Sequence, residues 1–280
     1  MAEKIALVTG SSSGIGLLTA VELARAGFRV VASMRDLGRG QRLEEAAANA
    51  GVGARLDMRR LDVTEFDGIG EFIAQLERDY GRLDVLVNNA GFATAGFAED
   101  LLLPELRQQF ETNFYGTVAV TKAVLPIMRR QHSGHIIMVS SIGGRVSAPV
   151  LGAYDSSKFA LEGWSESLRI EIRALGVQVV LVEPGSFQTD IWERNVHIGS
   201  FTMDARSPNH ERSLRFAEVV KKVRKADPRP VAELIARVAQ NPHPRLRYRV
   251  GFDAHLQFWM HALVPWKIYE KIVVKATKIG

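Results

Sequence analysis

The chain alternates short apolar runs with longer stretches in which apolar residues recur every three or four positions. The runs Ile5–Thr9, Arg29–Met34, Met58–Val63, Val85–Asn88, His135–Ser140, Val177–Glu183 and Leu246–Val250 read as strands. Several are nearly all apolar, as expected when both faces of a sheet are covered. Gly14–Ala26, Gln41–Ala50, Asp67–Tyr80, Pro104–Gln131 and Ala153–Leu175 carry the helical period between them. Strands alternating with helices of this length predict parallel βαβ units. The expected fold is α/β: a Rossmann-type doubly wound parallel sheet, with ligands at the carboxyl ends of its strands. No linker, low-complexity block or internal repeat divides residues 1–280, so a single domain is predicted.

Beyond Pro184 the rhythm breaks. Residues 186–230 are polar with few strand signals; a loop region this long inside a compact domain predicts a lid that orders over substrate. Residues 252–280 read as a C-terminal helical extension interrupted at Pro265. Its apolar side chains, among them Phe258, Trp259, Leu263 and Trp266, run beside Lys267, Lys271, Lys275 and Lys278. Packing against the core or a partner subunit is the favoured reading, ahead of peripheral contact with a membrane surface.

Composition narrows the classes. The 280 residues are 46% hydrophobic and 24% charged, as in ordinary globular proteins. With no cysteine there is no disulfide, thiol nucleophile or thiolate metal site, which fits a reducing, cytoplasmic setting. The first apolar run is too short for a signal-peptide core, and no stretch reaches the ~18 apolar residues of a membrane span. The net charge of +5 divides into −4 over residues 1–200 and +9 over residues 201–280. The basic excess reads as a solvated face, and the first 200 residues lack the basic runs of a nucleic-acid binder. The seven histidines form no cluster with metal-ligand spacing, so no metal site is expected.

Two local patterns carry chemistry. Thr9-Gly-Ser-Ser-Ser-Gly-Ile-Gly16 follows a strand and opens a helix. Glycines there let backbone amides approach a phosphate at the positive end of the helix dipole. Tyr154 and Lys158 are four apart on one helix face. A phenol titrates near ~10, and a neighbouring positive charge lowers that value. Such a tyrosine can exchange a proton with an alcohol or carbonyl.

The motifs Thr9-Gly10-x-x-x-Gly14-Ile15-Gly16, Asn88-Asn89-Ala90-Gly91, Ser141, Tyr154-x-x-x-Lys158 and Pro184-Gly185 occur in that order. Together they resemble the short-chain dehydrogenase/reductase family over roughly residues 4–190. Within it the chain is similar to the retinol and 17β-hydroxysteroid dehydrogenase branch and to bacterial carbonyl reductases. The resemblance implies that Tyr154 is the general acid in reduction and the base in oxidation. Lys158 would lower the phenol pKa and hold the nicotinamide ribose, and Ser141 would bond the substrate oxygen. Ser140 is the competing serine; the following Ile142-Gly143-Gly144 favours Ser141. Asn113 alone reads as a helix-kink residue, whereas the resemblance makes it hold a water that links Lys158 to solvent.

The resemblance also implies cofactor contacts from Gly10, Ser12, Ser13, Gly14, Ile15 and Gly16. Asp62 and Val63 would meet the adenine, and Asn89, Ala90 and Gly91 would border its ribose. Pro184, Gly185 and Thr189 would border the nicotinamide. At the end of the second strand Arg35 suits a 2′-phosphate, while Asp36 could instead take a ribose 2′-hydroxyl. NADP(H) is the preferred cofactor, with NAD(H) left open. Val150, Phe187 and Trp192 with Ser141 would line the substrate site. The expectation is an oxidoreductase interconverting an apolar ketone or aldehyde with its alcohol, as a homodimer or homotetramer. The alternatives are a steroid or retinoid alcohol dehydrogenase using NAD(H), and a non-catalytic NADP sensor, which would not need the Asn113, Ser141, Tyr154 and Lys158 set.

Overall fold

A computed structural model describes residues 3–191, 196–221, 223 and 225–280. The strands are β1 (Ile5–Thr9), β2 (Arg29–Met34), β3 (Leu56–Arg60), β4 (Val85–Asn88), β5 (Ala93–Ala95), β6 (Gly134–Val139), β7 (Val177–Pro184), β8 (Val196–Ile198) and β9 (Arg247–Val250). The helices are α1 (Gly14–Arg25), α2 (Gln41–Asn49), α3 (Phe66–Tyr80), α4 (Leu103–Phe110), α5 (Thr117–Gln131), α6 (Gly152–Ile172), α7 (His210–Lys221), α8 (Arg229–Val238), α9 (Phe252–Leu263) and α10 (Trp266–Thr277).

Seven strands form one sheet in the order β3-β2-β1-β4-β6-β7-β9. Every pairing in it is parallel. Alternate residues feed opposite layers. Ala6 and Val8 pack with α1, α2 and α8 through Leu17, Leu43 and Ile235. Ile5 and Leu7 pack with α3, α5 and α6 through Ile69, Val120 and Leu161. The winding reverses between β1 and β4, which opens a crevice at their carboxyl ends, as the sequence pattern predicts.

Three boundaries differ from expectation. The third strand ends at Arg60 and not Val63. Asp62 stops it: its Oδ1 accepts bonds from the Thr64 backbone N–H and hydroxyl in a local turn. The helix expected over 104–131 breaks into α4 and α5 around a wide π-turn at Glu111–Gly116. Gly116 there lies against Val63, where a Cβ would come within 2.7 Å of Cγ2 and 2.9 Å of the carbonyl. The segment after Pro184 is less loop-like than its polarity suggests. It contributes β8, paired in parallel with β5, and the helix α7.

The C-terminal extension forms α9 and α10. Their inner face, Ala254, Phe258 and Tyr269, packs on Ile142 and Val146. Among the described residues, no helix is long and apolar enough to cross a membrane.

Candidate active site

The glycine turn between β1 and α1 is built from positive-φ glycines, Gly10 at 69° and Gly14 at 56°. That backbone suits glycine. The turn is clamped from beneath. Thr9 Oγ1 accepts from the Asn89 and Ala90 amides, and Asn89 Nδ2 donates to the carbonyls of Thr9 and Gly10 at 2.9 and 3.1 Å. Gly16 leaves room for this clamp: a Cβ would sit 2.3 Å from Asn89 Nδ2 and 2.4 Å from Gly10 O. Gly16 is therefore a packing position behind the turn and does not line the cleft, against expectation. Gly10, Ser12, Ser13, Gly14 and Ile15 do line it.

The cleft encloses about 530 Å³ and runs the width of the crevice. One end is bordered by Asp62, Val63, Ala90, Gly91, Arg35 and Arg39. Asp36 Oδ1 accepts from the Gly38 amide at 2.9 Å and so caps the turn Leu37–Arg39. Arg35 and Arg39, both exposed, supply positive charge on this rim. Arg39 was not singled out from sequence; its signal was a second arginine four positions after Arg35.

The other end holds Ser141, Tyr154, Lys158, Pro184, Gly185, Phe187 and Thr189. Strand β6 delivers Ser141, and the first turns of α6 deliver Tyr154 and Lys158. Tyr154 is 5% exposed and hydrogen-bonded to Ser141. Ser141 Oγ also accepts from the Gly143 amide at 3.0 Å, which fixes its rotamer. Ser140, also on the cleft, turns its hydroxyl toward Glu162. Lys158 Nζ donates to Val139 O at 2.9 Å and stands 5.8 Å from the Tyr154 ring centroid.

Two expected residues, Asn113 and Val150, do not line the cleft. Asn113 is buried behind the cleft. Its Oδ1 accepts from the Phe92 amide, and its Nδ2 donates to Phe92 O and Ser157 Oγ. Its side chain thus ties the π-turn to Phe92, just before β5, and to α6. Val150 does not line the cleft. It occupies the left-handed region with φ 71°, and its carbonyl accepts from the Gly96 amide at 2.8 Å. Trp192 lies outside the described residues. Conversely, Gln108, Glu111, Thr112 and His197 reach the cleft from remote elements that carry no local motif. Asp253 of α9 accepts from the Ser186 amide at 2.6 Å and packs where Gly185 lacks a Cβ, fixing the turn after β7.

Burial dominates the electrostatics. It pushes the Tyr154 phenol up to about 12, while the Ser141 hydrogen bond pulls down and Asp155 pushes up. Burial thus outweighs the lowering expected from Lys158, whose Nζ is held by Val139 O. Burial also brings Lys158 down to about 8, against the attraction of Glu162 one helical turn on. The Asp155 carboxyl is pushed up to about 7 by burial, opposed by the Ala148 amide it accepts from. Among the described residues, no group of three His, Asp or Glu side chains is placed to hold a metal ion.

A doubly wound sheet, a glycine turn at its switch point and a buried Tyr–Ser–Lys set at the far end of the same cleft define a nicotinamide-dependent oxidoreductase. The chain belongs to the short-chain dehydrogenase/reductase family: the family profile described as short chain dehydrogenase matches residues 4–197. It is 42% identical over 278 residues to the oxidoreductase YusZ of Bacillus subtilis, covering 98% of this chain and 99% of that one. It is 38% identical over 260 residues to retinol dehydrogenase 8 of Bos taurus, covering 89% and 82% of the two chains. A solved metagenomic short-chain oxidoreductase in complex with NADP superposes with a TM-score of 0.71 at 28% identity, covering 89% of this chain and 97% of that one.

Proposed function

We propose that this oxidoreductase uses NADP(H) to interconvert an apolar ketone or aldehyde with its alcohol. The observation that carries the reading is the single cleft, with Tyr154, Ser141 and Lys158 at one end and Arg35 and Arg39 at the other. The residues present fit a dinucleotide: glycines without Cβ at Gly10 and Gly14, α1 amides for the pyrophosphate, and two arginines beside the ribose end. Bound NADP(H) supplies or accepts the hydride at the substrate carbon.

The protein handles the proton. With its phenol held neutral at pH 7, Tyr154 donates to the carbonyl oxygen in reduction and takes the proton back in oxidation. Ser141 donates to the same oxygen and holds it in line with Tyr154. Lys158, buried at 5% exposure, supplies the positive charge that stabilises phenolate once Tyr154 has given up its proton. Phe187, 4% exposed, gives the substrate end an apolar wall. The name of the bovine relative, retinol dehydrogenase 8, supports an apolar alcohol or carbonyl and keeps a retinoid or steroid dehydrogenase as the second reading.

Following NADPH absorbance across aromatic, aliphatic and steroidal ketones and aldehydes tests the activity. Consumption with apolar carbonyls is expected. NADPH binding without turnover on any of them would instead indicate a sensor. Replacing Arg35 and Arg39 together by alanine should raise the KM for NADPH roughly ten- to a hundredfold and leave NADH nearly unchanged, since each is a charge-assisted contact. Equal losses with both cofactors would assign the arginines to the fold.

A further inference from the structure

The outer face of α9 carries Phe252, Leu256, Trp259 and Leu263, which are 83, 47, 54 and 73% exposed. Their spacing of four, three and four places them on one stripe. That stripe is opposite the inner face, where Ala254 is fully buried and Phe258 packs inward. Two arginines meet the inner face of the helix. The guanidiniums of Arg249 and Arg145 lie 3.6 and 5.6 Å from the Phe258 ring centroid. Trp266, 63% exposed, and Ile268, 52% exposed, extend the apolar surface onto α10. Lys267, Lys271, Lys275 and Lys278 follow α10 at helical spacing, every one exposed, with Glu270 the one acidic residue on that helix. Single exposed apolar side chains are ordinary, but a contiguous stripe this large marks a contact surface.

We propose that the α9–α10 hairpin docks on an anionic lipid bilayer, with the α9 stripe entering the headgroup–acyl boundary and the lysine row lying among anionic headgroups. A helix face of Phe, Leu and Trp beside a row of lysines is the composition that binds at this interface, and tryptophan favours headgroup depth. Charge selects the bilayer over a second copy of the chain. Residues 252–280 carry four lysines against Asp253 and Glu270, and a two-fold contact through this face would bring two lysine rows together. An anionic surface complements the same charges.

The hairpin roofs Ile142 and Val146, just past Ser141, and Tyr269 of α10 feels the charge of Asp155 beside Tyr154. Docking therefore brings the substrate end of the cleft to the membrane. An apolar substrate would enter from the lipid side, a consequence that rests on the proposed reaction, whereas the docking does not.

Sedimentation of the full chain with vesicles tests the docking without reference to turnover. The protein should pellet with equimolar phosphatidylcholine and phosphatidylglycerol, release at high salt, and stay in solution with phosphatidylcholine alone. Leu256→Glu, Leu263→Glu and Lys271→Glu should each weaken binding by roughly fivefold or more, with reduction of a water-soluble carbonyl unchanged. Lys271→Gln and Lys275→Gln, milder changes at exposed positions, carry the same test if the glutamates perturb folding. Failure of the wild type to bind anionic vesicles, or equal binding to both vesicle types, overturns the proposal. So does a lipid-free dimer in equilibrium sedimentation that Leu256→Glu dissociates, because a second copy would then cover the stripe.

Discussion

Tyr154 is buried, hydrogen-bonded to Ser141 and neutral at pH 7, so its proton is available to a carbonyl oxygen. Tyr154→Phe keeps the ring and removes that proton. It should lower kcat by about 10²–10⁴-fold while NADPH binding, read by fluorescence titration, stays intact; retention of a tenth of the activity would remove Tyr154 from the chemistry. Its neighbour Asp155 tests the electrostatics of the pocket. Its carboxyl holds a proton up to about pH 7 in the folded chain, against near ~3.9 in the unfolded chain. The folded state thus binds the extra proton in that window, and the resulting stability is complete below about pH 4 and lost as pH rises through 7. Asp155→Asn can still accept from the Ala148 amide and no longer titrates. The fall in melting temperature of the wild type between pH 5 and pH 8 should shrink in the variant, and an unchanged fall would mean another group governs it.

At the scale of elements, the junction of β1, α1 and β4 is the most constrained. Gly16→Ala would drive a Cβ into Asn89 Nδ2 and Gly10 O, one of them rigid backbone. The cost should be about 1–3 kcal/mol in urea unfolding, with a raised KM for NADPH as the phosphate turn shifts. A variant as stable as the wild type would show that Asn89 can move aside freely. This junction was partly legible in the sequence. The strand, the glycines and the helix start were plain, because buried parallel strands and positive-φ turns restrict residue choice locally. Tyr154 and Lys158 were legible for the same reason, being one turn apart. The clamp role of Asn89, the Asp253 anchor under Gly185 and the rim arginine Arg39 were not, since each depends on a partner or a fold position remote from its own motif. Strands β5 and β8 escaped because three residues carry no readable period. Val150 reads as an apolar wall of the substrate site, yet it adopts a left-handed backbone and does not line the cleft.

Across the whole molecule, the edge strand β9 is tied to α6 by charge. Arg247 Nε lies 3.0 Å from Glu162 Oε2 and 3.4 Å from Glu183 Oε1, and its Nη2 lies 2.6 Å from Glu166. Arg249 Nε meets Glu183 Oε2 at 3.1 Å. Glu183 is fully buried and Glu162 nearly so. Arg247→Met would leave the two carboxylates underpaired, and should cost about 3–5 kcal/mol in denaturant unfolding. Adding Glu162→Gln should recover part of that loss, as coupled partners do; simple additivity would deny the coupling. The same ties set an order of events during synthesis. Glu162 leaves the ribosome 85 residues ahead of Arg247. At roughly 5–20 residues per second, that is a wait of about 4–17 seconds. For that interval Glu162 of the nascent chain has only the more distant Arg145 as counterion, so α6 is locked to the sheet edge only when the last strand has been made.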